Sequence, residues 1–96
     1  MTKKLNEISI IFIYADNCSH CQTTLMVLES AIDKSNIACK IHKMSYDDKS
    51  ALHIAINKGI DDLPGIVIGD FVFVKHCKEN EVIEAIKRTW KKTNQR

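Results

Sequence analysis

The spacing of apolar residues changes period several times along the chain. Ile8 to Ala15 (ISIIFIYA) is one continuous β-prone run, which predicts a strand covered on both faces in the middle of a sheet. From Cys18 onward the period becomes helical. Cys21, Leu25, Leu28 and Ile32 recur at spacings of four, three and four and so share one helix face. Ala38 to Ser45 sets Ala38, Lys40 and His42 against Cys39, Ile41 and Lys43, which predicts a second strand with Cys39 and Ile41 on the inward parity. Asp47 and Asp48 suit the start of a helix and Gly59 its end, with Leu52, Ala55 and Ile56 as its apolar stripe. Ile66 to Ile68 and Phe71 to Val74 are short strands split by Gly69-Asp70, a two-residue hairpin signal. Glu79 to Lys92 reads as a last helix, with acids in its first turn and Val82, Ile83, Ile86 and Trp90 facing inward.

The predicted order is strand, helix, strand, helix, strand, strand, helix. A helix joins the first two strands, so they should run parallel through a right-handed crossover. The expectation is an α/β fold: one mixed four-stranded sheet flanked by helices on both faces. There is no repeat, low-complexity tract or linker, so residues 1–96 are read as a single domain.

Composition narrows the function classes. The chain is 45% apolar and 27% charged, an ordinary globular mix. A net charge of +2 is too small to argue for nucleic acid. The basic C-terminal stretch (RTWKKTNQR) suits the negative end of a helix dipole. No segment approaches the roughly 20 apolar residues that span a bilayer, so no membrane partner is expected. The N-terminal apolar run is broken at its start by Asn6, Glu7 and Ser9, and no small-residue cleavage site follows it. A secretory leader is therefore not expected, and the expected location is the cytoplasm, where thiols are kept reduced. Four cysteines in that setting point to redox, metal or core roles rather than a disulfide framework. Cys39, on the inward parity, reads as core. Cys77, just past the hairpin, reads as a spare thiol. His42, His53 and His76 occupy polar positions and read as solvated.

The remaining stretch is DNCSHCQ, Asp16 to Gln22, at the junction of the first strand and first helix. A lone C-x-x-C can be a metal clamp, a structural staple or a working dithiol. This one is followed by a single proline, Pro64, just before the third strand. With CSHC ending the first strand, Pro64 in that place and the βαβαββα order, the chain resembles a glutaredoxin-like member of the thioredoxin superfamily from about Ile8 to Trp90. The resemblance implies a small dithiol thiol–disulfide oxidoreductase of electron transport and redox homeostasis. It implies Cys18 as the attacking thiolate and Cys21 as the resolving thiol. It further implies a cis bond before Pro64, with Asn17, Leu63 and Pro64 meeting the substrate and Ser19 and His20 tuning the dithiol. No metal or tightly bound cofactor is implied, and the molecule is expected to be a monomer. Its partners would be a disulfide-containing protein or small molecule, with glutathione or a flavoenzyme reductase as electron donor.

Elementary chemistry agrees. A sulfur at a helix N-terminus meets unpartnered N–H groups and the positive end of the helix dipole, both of which favour thiolate over thiol. The chain also departs from its relatives. Ser19-His20 replaces the usual Gly-Pro or Pro-Tyr, and Asn17 stands where thioredoxins usually carry Trp. No acid occurs in Phe12-Ile13-Tyr14, and Lys75-His76-Cys77-Lys78-Glu79 replaces the Gly-Gly pair that binds glutathione. The alternative is a non-enzymatic thioredoxin-fold module that docks a partner or holds a metal or iron–sulfur cluster. A zinc site from Cys18, Cys21, His76 and Cys77 is the rival use of these residues, though two adjacent residues converge poorly on one ion.

Overall fold

The computed structural model describes residues 7–16 and 18–94. The elements in chain order are β1 (Ile8–Tyr14), α1 (Ser19–Ser35), β2 (Cys39–Ser45), α2 (Lys49–Lys58), β3 (Gly65–Ile68), β4 (Phe71–Val74) and α3 (Glu79–Asn94). The order is the expected one, with bounds moved by one or two residues. The strands form one mixed sheet in the order β2-β1-β3-β4. β1 runs parallel to β2, from Ile8 opposite Cys39 to Tyr14 opposite Ser45. β3 lies antiparallel to both β1 and β4.

β1 is central, as its unbroken apolar run requires. Strand side chains alternate between faces, and here both faces are covered. Ile8, Ile10 and Phe12 enter the core shared with α1 and α3, including Leu28, Ala31, Val82 and Ile86. Ile13 enters a second, smaller core with Ala51 and Ala55 of α2 and Val67 of β3. The edge strand β2 is less buried, and Cys39 and Ile41 pack only partly against the larger core.

The helix ends follow local chemistry. The Asp48 carboxylate accepts the Ser50 N–H at 3.2 Å and caps α2, and Gly59 closes it with φ of 70°. Asn36, at φ of 59°, closes α1 in the left-handed region that Asn tolerates. At the hairpin the positive φ falls on Gly69, where a Cβ would stand 2.6 Å from Thr89 Oγ1. Glycine there lets α3 lie against the turn.

Two expected inward faces need correction. In α2 the buried residues are Ala51 and Ala55, while Leu52 is 40% and Ile56 71% exposed. The small alanines let this short helix sit close to Ile13 and Val67; turning the bulkier pair inward would hold it off the sheet. In α3, Val82, Ala85 and Ile86 are buried, but Trp90 is 40% exposed. Its neighbour Thr89 takes the inward position against Gly69. Among the described residues no helix is long and apolar enough to cross a membrane.

Candidate active site

The site lies at the C-terminal end of β1. After Tyr14 the chain turns through Ala15 and Asp16, and Cys18 becomes the N-cap of α1 with φ of −98° and ψ of 108°. Its Sγ accepts the Cys21 backbone N–H at 3.1 Å. This is the role that Ser, Thr, Asp or Asn usually plays at a helix start, filled here by sulfur. Cys18 and Cys21 are joined as a disulfide across a Cα separation of 5.3 Å. Cys21 is only 6% exposed and belongs to the main core, whereas Cys18 is half-buried. The two sulfurs thus differ in access, with the first reachable and the second covered. Ser19 and His20 form the exposed part of this turn. Asn17 lies outside the described residues.

Pro64 is brought to the same end of the sheet by strand register. Gly65 pairs with Ile13 of β1 and with Val74 of β4. The Leu63–Pro64 bond is cis, as the resemblance implied. Leu63 packs against both cores, and its N–H donates to the Asp62 carboxylate at 2.9 Å. The Pro64 carbonyl accepts the Lys75 N–H at 2.8 Å, and the Lys75 carbonyl accepts the Thr24 hydroxyl at 3.5 Å. The first turns of α1, the proline bend and the β4–α3 connection are thereby tied together.

On the other side of the dithiol a hollow of about 340 Å³ reaches Cys18 and Cys21. Phe12 and Tyr14 form its wall where a thioredoxin would carry an acid, and Asp16 and Lys43 are its charged groups. Lys43 carries no local signal of this role, because it reaches the hollow only through its pairing with Phe12 across β1 and β2. Thr24 reaches the site by donating its hydroxyl to the Lys75 carbonyl, a contact between distant elements that no local pattern announces. His76 is exposed, as expected, but its ring meets that of His20.

The other thiols are of a different kind. Burial, aided by Glu7, pushes the Cys39 thiol up to about 11. Burial, aided by Glu81, also raises that of Cys77. Both stay protonated and unreactive at neutral pH. Among the described residues, no three His, Cys, Asp or Glu side chains are gathered in a way that could hold a metal ion.

Comparison with solved structures places this geometry. Thioredoxin z from chloroplasts superposes with a TM-score of 0.65 at 20% identity, over 86% of this chain and 78% of that one. Thioredoxin 1 from Thermosipho africanus gives 0.59 at 20% identity, over 91% and 99%. A thioredoxin-like protein from Clostridium perfringens gives 0.68 at 14% identity, over 90% and 73%. No curated protein sequence matches the chain significantly. The chain shares the thioredoxin-like fold of these proteins.

One sequence match points elsewhere. The profile of the Rieske [2Fe-2S] domain matches residues 6–59, just over half of the chain, and by that match the chain belongs to this sequence family. A Rieske centre needs two cysteines on one iron and two histidines on the other. The matched stretch offers Cys18, Cys21 and Cys39 with His20, His42 and His53. The fold keeps them apart. Cys39 pairs with Ile8, at the opposite end of β1 from Cys18, about 20 Å away at ~3.3 Å per strand residue. His42 shares a surface hollow with Ile11 and Ile54 on the α2 face of the sheet, whereas Cys21 is in the core on the α1 face. His53 is exposed on α2. Two cysteines and two histidines of this stretch cannot converge, and the residues do not fit the cluster.

Proposed function

We propose that the chain is a small thiol–disulfide oxidoreductase that reduces disulfides through Cys18 and Cys21. The observation that carries this reading is the N-cap: Cys18 Sγ accepts the Cys21 N–H at the start of α1. A hydrogen bond to sulfur, together with the helix dipole, favours the anion over the thiol. In the reduced protein the Cys18 thiolate attacks one sulfur of a substrate disulfide, and the other substrate sulfur leaves as a thiolate. Cys21, one turn away, then attacks Cys18 and releases the second substrate sulfur, which leaves Cys18–Cys21 oxidised. Two electrons from glutathione or a flavoenzyme reductase restore the dithiol. Ser19 and His20 tune the pair, and Asn17, Leu63 and Pro64 meet the substrate. A substrate backbone that pairs with Leu63 displaces the Asp62 carboxylate from its N–H. A cytoplasmic location fits the reducing direction.

The test is insulin reduction driven by dithiothreitol. The parent protein should accelerate it, Cys18→Ser should fall to the rate of dithiothreitol alone, and Cys21→Ser should accumulate a mixed disulfide at Cys18. A Cys18→Ser protein as active as the parent would overturn the assignment. A parent with no turnover would leave a partner-docking module as the better reading.

A further inference from the structure

His20 and His76 are far apart in sequence and adjacent in space. Their ring centroids lie 5.3 Å apart with an interplanar angle of 80°, an edge-on contact. His20 lies between the two cysteines in the opening turn of α1, and His76 follows β4. The His76 backbone is pinned on both sides. Lys75 takes a positive φ of 70°, a left-handed conformation that residues other than glycine rarely adopt. The Lys75 N–H to Pro64 and the Thr24 hydroxyl to Lys75 hold it there. The His76 N–H donates to Val74 at 2.7 Å, and Cys77 packs against the main core. The ring contact is therefore built into the connection that also carries the proline bend.

We propose that His76 is a positioning residue: its ring fixes the orientation of the His20 imidazole in the turn that carries the two cysteines, so that the charge of His20 acts on the dithiol only while His76 is present. The proposal rests on the reading of Cys18–Cys21 as a reversible dithiol. Imidazole changes charge across neutral pH, and an edge-on ring contact restricts the orientation of the His20 side chain. When two glutathione thiols reduce the disulfide, they supply two electrons and two protons and leave as glutathione disulfide. One proton goes to Cys21. The other goes to the held imidazole rather than to Cys18, and the resulting ion pair favours the reduced form. The other ionisable groups on the elements that meet here are Asp16, Cys77, Lys78, Glu79, Glu81 and Lys75 with its partner Asp62. All of them are unchanged in the variants below.

The experiment measures the dithiol–disulfide equilibrium constant against glutathione buffers, by thiol alkylation, at pH 6 and pH 9. The variants are His20→Ala, His76→Ala, His76→Phe and the double alanine. At pH 6, His76→Ala should shift the equilibrium about fivefold toward the disulfide, or about 20 mV at 29.6 mV per tenfold. His76→Phe, which keeps a ring, should stay within about twofold of the parent. The double variant should shift no further than His20→Ala alone, because the two residues act as one unit. All four should approach the parent at pH 9. His76→Ala behaving like the parent, His76→Phe behaving like His76→Ala, or additive shifts would each overturn the proposal. A parent protein that never equilibrates with glutathione would instead overturn the dithiol reading beneath it.

Discussion

A methyl group added at Gly65 would stand 2.7 Å from Ile60 Cγ2 and 3.0 Å from Ile60 Cδ1. Ile60 is itself only 8% exposed and wedged under the proline bend. Glycine follows Pro64 for that reason. Gly65→Ala should lower the stability by about 1–3 kcal/mol through overpacking. Urea unfolding measures it, and an unchanged midpoint would contradict the contact. At this scale much of the site was legible in the sequence. Cys18, Cys21 and Pro64 announce themselves by type and spacing, and Asp48 and Gly59 by the caps they form. The His20–His76 contact and the approach of Lys43 to the dithiol were not legible. Each joins residues from different elements, and only the register of the sheet and the pinning of Lys75 bring them together.

Helices α1 and α3 lie side by side on one face of the sheet and are latched at one point. Glu79, in the first turn of α3, accepts hydrogen bonds from Ser30 Oγ and from Lys34 Nζ of α1. The Ser30 bond first, and the Lys34 bond second, hold the Glu79 carboxyl below its usual range. A depressed carboxylate stabilises the fold above the unfolded value, about 4.3, and that contribution is lost as pH falls through the lower folded value. Glu79→Gln should therefore be less stable than the parent at pH 6.5, and the gap should narrow by pH 3 as the parent carboxyl begins to protonate. Urea midpoints at the two pH values check this, and an equal gap at both would contradict it. The existence, order and ends of the elements followed from period and caps. The rotation of α2 and the outward turn of Trp90 did not, because small residues (Ala51, Ala55, and Gly69 facing Thr89) set how closely a helix approaches the sheet, and hydrophobicity alone favours the larger side chains.

At the scale of the whole molecule, sequence profile and fold imply different chemistry for the same residues. The sheet carries Cys39 to one end and Cys18 to the other, so anaerobic reconstitution with iron and sulfide should yield no [2Fe–2S] centre of mixed cysteine and histidine ligation. Electron paramagnetic resonance of the reduced sample reads this directly, and a Rieske-type signal would contradict the fold assignment. The central strand, the parallel β1–β2 pair and the closing hairpin were legible because each has its own local pattern. That β3 joins β1, and so delivers Pro64 to the dithiol end, is a property of the assembled sheet. The central claim is that this assembly holds the Cys18 sulfur as a ready anion. Its most direct test is the rate of Cys18 alkylation against pH in reduced protein, folded and in concentrated urea. The account predicts an apparent pKa well below the free-thiol value of about 8.5 in the folded protein, returning to about 8.5 in urea. A folded value at or above 8.5 would contradict it.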